Sequence, residues 1–146
     1  MRTTPVPNLI LDQYLSNLGG AELKVLLVII RQTLGWSDRR GIYGRKETDW
    51  ISGSQLREKT GSSRRAIISA VDLLVKKKLI QVLDDQGSIL NDSSKRQGKY
   101  RLYYRLHSSV FNPVEKSVRT SPTCANFAPD LCKNYTALVQ KMHITK

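Results

Sequence analysis

Apolar positions recur with a helical period through about Leu79 and take on a strand-like texture after it. Pro5 and Pro7 close an extended arm, and Asn8 predicts a capped short helix through about Asn17 with Leu9, Ile10, Tyr14, Leu15 and Leu18 as its apolar members. Gly19 and Gly20 interrupt it. Ala21 to Leu34 then reads as a longer helix that is apolar on most sides, with only Glu22, Lys24, Arg31 and Gln32 expected in water. A helix of that kind is a central core element.

From Gly35 to Asp49 the chain turns to Gly, Ser, Asp, Arg and Lys, the composition of an exposed connection. Trp50 and Ile51 predict a brief strand, after which Ser52 or Ser54 caps a short helix, Gln55 to Lys59. The run from Ser54 to Arg65 has the order helix, tight turn with Gly61, and new helix with a serine cap, which is a helix-turn-helix. The second helix extends from about Ser63 to Lys78. Ile67, Ala70, Val71 and Leu74 fall on its core face. Arg64, Arg65, Ser69, Asp72 and Lys76 share an arc of roughly 140° on another side.

Ile80 to Leu83 and Tyr100 to Leu106 carry strand-forming residues on either side of a polar stretch rich in Asp, Ser, Gly, Lys and Arg. Two strands with a basic tip directly after such a helix form a hairpin of the kind called a wing. The predicted fold is therefore mainly α with a small β-hairpin: a winged helix-turn-helix with a three-helix core and an extra N-terminal helix, over residues 1–106. Residues 107–146 read as a linker and tail, with a short amphipathic helix over 129–143.

Charge changes the picture from fold to partner. The 146 residues hold 24 Lys and Arg against 12 Asp and Glu, a formal net charge of +12. Residues 1–38 are neutral, residues 39–106 carry sixteen basic and seven acidic groups, and residues 107–146 carry five and two. An anionic partner is expected at the middle of the chain, and nucleic acid is the usual one, because each phosphate neutralised releases a condensed counterion. The longest apolar run, Val25 to Ile30, is far short of a membrane span, and no secretory signal is legible at the start. With Cys124 and Cys132 alone there is no disulfide framework, so the expectation is a cytoplasmic protein without a membrane partner.

Arg64 and Arg65 lead the candidates for base contact in a major groove, since Arg can bond guanine O6 and N7 in a bidentate way. Ser62, Ser63, Ser69 and Lys76 are positioning or secondary contacts, and Gln55 with Arg39, Arg40 and Arg45 are candidates for the DNA backbone. Lys95, Arg96 and Lys99 are the wing contacts. Asp72 is awkward beside phosphate and is expected to pair with Arg65 or Lys76. The alternative for this whole set is a solvated helix face and a merely soluble hairpin tip.

Catalysis has little support: no G-x-x-x-x-G-K-S/T loop, no H-E-x-x-H and no G-x-S-x-G is present, and Gly41 to Gly44 is too short and basic to cradle phosphate. No enzymatic activity and no cofactor are expected. His107, Cys124, Cys132 and His143 are zinc-ligand types, but no closely spaced cysteine pair exists, so no metal site is expected either. The remaining readings are sequence-specific binding of double-stranded DNA, as by a winged-helix transcriptional regulator, and a protein-interaction module on the same fold.

Several segments carry a family resemblance: Thr4-Pro-Val-Pro-Asn8, Leu18-Gly-Gly-Ala-Glu-Leu-Lys through Arg31 to Trp36, Ser52-Gly-Ser-Gln-Leu56, Thr60-Gly-Ser-Ser-Arg-Arg65, and Leu74-Val-Lys-Lys-Lys-Leu-Ile80. Over about residues 4–106 the chain resembles the N-terminal domain of the bacteriophage replication protein O family. The resemblance implies an origin-binding winged helix, a homodimer on inverted-repeat double-stranded DNA, and recruitment of a replicative helicase or helicase loader through a separate C-terminal part. The chain departs from that pattern in its long basic connection over 35–50 and in the mere forty or so residues that follow the domain.

Overall fold

The fold is built around one apolar helix. In the computed structural model, which describes residues 3–112, helix α1 (Gly20–Gln32) buries Val25, Leu26, Ile29 and Ile30. Helix α2 (Gly53–Thr60) adds Leu56, and helix α3 (Arg64–Lys76) adds Ile67, Ala70, Val71 and Leu74, the face its 3.6-residue period predicts. Three short strands complete the core: β1 (Thr48–Trp50), β2 (Ile80–Leu83) and β3 (Tyr103–Leu106). They form an antiparallel sheet in the order β1-β3-β2, with Trp50 opposite Tyr103 on one side and Ile80 opposite Leu106 on the other. Ile80, Val82, Tyr104 and Leu106 face inward and join the helices in a single apolar cluster.

The expected hairpin thus forms, and a third strand joins it. The brief strand predicted at Trp50 and Ile51 lies two residues earlier, at Thr48–Trp50, while Ile51 is buried in the core. The second hairpin strand starts at Tyr103 rather than Tyr100. Between them the chain is no simple tip. Asp84 turns it by accepting from the N–H groups of Gln86 (3.0 Å) and Ser88 (3.1 Å), and Leu90 returns to the core, its N–H on the Val82 carbonyl at 2.7 Å. A short helix, α4 (Ser93–Arg96), follows before β3.

Two other expectations are corrected. The N-terminal segment is a π-helical turn, Ile10–Tyr14, continued by a 3-10 turn, Leu15–Asn17, with no side-chain cap. Ile10 is fully buried, and Tyr14 and Leu18 pack on the core, but the change of pitch at Leu15 turns that side chain outward. Glu22, expected in water, is buried, because Lys77 at the end of α3 reaches it at 2.5 Å and also donates to the Asn17 carbonyl at 2.7 Å. A carboxylate in the first turn of α1 also meets the favourable end of the helix dipole.

The connection after α1 is an ordered hairpin. The Asp38 N–H donates to the Gly44 carbonyl (2.9 Å) and the Lys46 N–H to the Trp36 carbonyl (3.0 Å). The close passage of the two arms requires glycine at Gly41, where a Cβ would lie 1.6 Å from the Arg45 carbonyl oxygen.

Beyond the expected boundary at residue 106 the chain stays packed. The His107 N–H bonds the Leu79 carbonyl (3.0 Å), a 3-10 turn spans Ser108–Val110, and Val110 lies in the core. All described residues belong to one compact unit, Met1–Pro113. The remainder of the expected linker and the helix over 129–143 lie outside the described residues.

Candidate nucleic-acid interface

The site is set by how α2 hands the chain to α3. Of the two serines open to the role, Ser52 caps α2: its Oγ accepts from the Gln55 N–H (3.1 Å), and Gln55 Oε1 accepts from the Ser52 N–H (3.1 Å). Gln55, a candidate backbone contact, therefore has its carbonyl oxygen occupied in this capping box. Helix α2 ends where Thr60 Oγ1 donates to the Leu56 carbonyl (2.6 Å) and Gly61 takes the left-handed conformation, φ 64°. Ser62 is half-buried, its N–H on Thr60 Oγ1 at 3.2 Å, and Ser63 caps α3 by accepting from the Ala66 N–H at 3.3 Å.

This geometry places Arg64 and Arg65 in the first turn of α3, both exposed. Ser69 and Lys76 are exposed farther along the same helix. Five ion pairs join described residues, and Arg57, Lys59, Arg64, Arg65 and Lys76 belong to none of them. Five cations on α2 and α3 thus stay available to an external anion, and the helix N-terminus adds partial positive charge beside Arg64 and Arg65.

The cations of the β2–β3 connection are in a different state. Lys95 pairs with Asp92 at 3.3 Å, both exposed, and Lys99 pairs with Asp84 at 3.3 Å. Arg96, its side chain only 9% exposed, pairs with Asp72 on α3 and donates to the main chain at Asp92 (3.2 Å). Asp72 therefore takes Arg96 rather than Arg65 or Lys76, because the connection folds back over α3 and sets α4 against it. The carboxyl of Asp84 sits below its ordinary range: burial opposes this, but the Ser88 and Gln86 N–H groups and Lys99 together outweigh it. Beneath the connection, burial pushes the Tyr104 hydroxyl up to about 12, against the nearby charge of Arg96.

Between α3 and this connection lies a cleft of about 510 Å³. Arg57, Arg64 and Lys99 border it together with Trp50 and Tyr100, and Ile67, Val71 and Leu102 give it an apolar lining. Arg101, beside it, lies 5.6 Å from the Trp50 ring centroid and 5.9 Å from that of Tyr100. Trp50, Arg57, Tyr100 and Arg101 are absent from the sequence-derived set. Tyr100 beside Arg101 was the available signal, but Trp50 meets Arg101 only because β1 pairs with β3.

The remaining candidates lie elsewhere. Arg39 and Arg40 are exposed at the tip of the 36–46 hairpin, and Arg45 is half-buried at its bridge with Ser37. That hairpin leads into the end of the sheet where Thr48 faces Arg105, with Tyr43 near Phe111 (ring centroids 6.2 Å apart). The cleft and the N-terminus of α3 are at the end where Trp50 faces Tyr103. The structure brings Arg64, Arg96 and Lys99 together around one cleft and does not bring the three hairpin arginines to it.

Among the described residues no group of three or more His, Cys, Asp and Glu is placed to hold a metal ion, and no helix is long and apolar enough to cross a membrane. Of the zinc-type residues only His107 is described, with Nδ1 accepting from the Ser109 N–H at 3.1 Å. Compared with known proteins, the chain matches the family model described as bacteriophage replication protein O over residues 3–95. No curated protein and no solved structure matches it.

Proposed function

The chain belongs to the bacteriophage replication protein O family, a membership that ties it to phage DNA replication, and from there we propose that it binds double-stranded DNA at a specific origin sequence through α3. In this reading the order α1, β1, α2, α3, β2, β3 is a winged helix-turn-helix, α3 enters the major groove, and the β2–β3 connection flanks it. The observation that carries it is the exposure of Arg64 and Arg65 outside any ion pair, on the first turn of a helix held by the Ser63 cap. Bidentate arginine reads guanine there, while Arg57, Lys76 and the exposed N–H groups hold phosphate.

The action proposed is binding and positioning, with no catalytic step, in the cytoplasm of the host cell. Two copies occupy an inverted repeat, and a helicase or its loader is the next partner. Selection of bound sequences from a random duplex pool at moderate salt tests the reading. The expected product is one enriched half-site in inverted repeat, with affinity falling steeply as salt rises. An unenriched pool removes specific recognition, and affinity insensitive to salt removes the phosphate contacts.

A further inference from the structure

We infer that the cleft between α3 and the β2–β3 connection takes an unpaired base of single-stranded DNA, stacked beside Trp50, Arg101 and Tyr100 with its flanking phosphates on Arg57 and Arg64. The rings are the first observation. Tyr100 is 92% exposed and Trp50 42% exposed, although large aromatic side chains ordinarily bury most of their surface. They border the same cleft, and the guanidinium of Arg101 lies within 6 Å of both ring centroids, at 5.6 and 5.9 Å. Flat π-faces interleaved with a planar cation are a stacking platform for nucleobases, and one indifferent to sequence because every base has a π-face.

Size and charge select the occupant. A cleft of about 510 Å³ has room for a base, and Ile67, Val71 and Leu102 give it apolar walls. Its lining includes Arg57, Arg64, Arg96 and Lys99 and no Asp or Glu. Arg96 and Lys99 are already answered by Asp72 and Asp84, which leaves Arg57 and Arg64 for the phosphates. An apolar peptide would strand those charges. A base inside a duplex has both faces covered by its neighbours, so stacking on Tyr100 requires a strand that is open at that point. The inference does not depend on α3 reading a duplex.

The test uses the full chain carrying Trp36→Phe, which leaves Trp50 as the single tryptophan of the two in the sequence. Oligothymidylate and an abasic oligomer of equal length are titrated against Trp50 fluorescence. Oligothymidylate quenches Trp50, and Tyr100→Ala, a change at a side chain almost wholly in water, weakens its binding by about 5- to 100-fold. The abasic oligomer binds about as weakly as oligothymidylate binds the Tyr100→Ala protein, and it is indifferent to that change. Equal affinity for the two oligomers, or an unchanged affinity in Tyr100→Ala, overturns the inference. Quenching by polyglutamate as strong as by oligothymidylate also overturns it and assigns the cleft to an acidic protein. A parallel titration with the selected duplex and Arg65→Ala separates the two readings: duplex specificity unchanged by Arg65→Ala, with oligothymidylate binding intact, removes the proposed function alone.

Discussion

Asp72 on α3 and Arg96 on α4 form an ion pair across 24 residues of sequence, and that pair fastens the β2–β3 connection to the helix beside it. The guanidinium is mostly withdrawn from water while the carboxylate is 27% exposed, so removal of either partner strands the other unequally. Asp72→Ala leaves a cation in a poorly hydrated place and is expected to cost about 1–3 kcal/mol of folding stability. Arg96→Met leaves a carboxylate that water still reaches and should cost less. The double variant Asp72→Ala/Arg96→Met should recover part of the larger loss. Denaturant unfolding of the three variants checks this, and a loss in the double variant equal to the sum of the two single losses would show that the pair is not coupled.

The position of each arginine relative to the sheet predicts a division of labour on duplex DNA. Arg65→Ala is expected to weaken specific binding by about 1–3 kcal/mol and to relax preference at one base. Arg39→Ala/Arg40→Ala acts at the tip of a hairpin that enters the opposite end of the sheet, and it should leave base preference unchanged. Competition binding with cognate and random duplex distinguishes the two. A loss of preference in the Arg39/Arg40 variant would mean that DNA wraps to that end.

Gly61 sets the angle at which α3 leaves α2, and its φ of 64° belongs to a region where a Cβ is unfavourable. Nothing lies within 4 Å of where that Cβ would sit, so the cost of Gly61→Ala is conformational alone, about 1 kcal/mol. Gly61→Asn should cost less, since Asn tolerates the left-handed conformation. Thermal melts order the three proteins, and an Ala variant as stable as the parent would show that the turn can relax without loss.

What the sequence made legible was local. The core face of α3 follows from a 3.6-residue period in one continuous segment, and the turn at Gly61 follows from glycine between two serine-rich caps. The parts it hid depend on residues distant along the chain. Glu22 reads as solvent-facing until Lys77, 55 positions on, is brought beside it. Thr48 and Asp49 carry no strand pattern, and only pairing with β3 makes β1 a strand. The same pairing delivers Trp50 to Arg101, so the aromatic side of the cleft was not legible from periodicity. Nor was the pairing of the connection's cations: Lys95 and Arg96 count as basic in any composition, whereas Asp92 and Asp72 answer them once the chain folds.

His107 gives the domain a defined acid response. Its pKa lies below the ordinary histidine value, first because it is partly buried and then because Lys78 and Arg105 repel a second positive charge. The neutral ring has a structural task as well: Nδ1 accepts from the Ser109 N–H at 3.1 Å and so caps the turn that carries Val110 into the core. As pH falls through about 6.5, histidine in the unfolded chain takes up a proton that the folded protein still refuses. Protons then favour unfolding, and stability drops from there until the pH passes below the depressed value of the folded state. His107→Asn keeps an acceptor for the cap and removes the titration. The melting temperature of the parent should therefore fall more between pH 7.5 and 5.5 than that of His107→Asn, while carboxylate contributions are common to both. Identical pH dependence in the two proteins would assign the acid response to other groups.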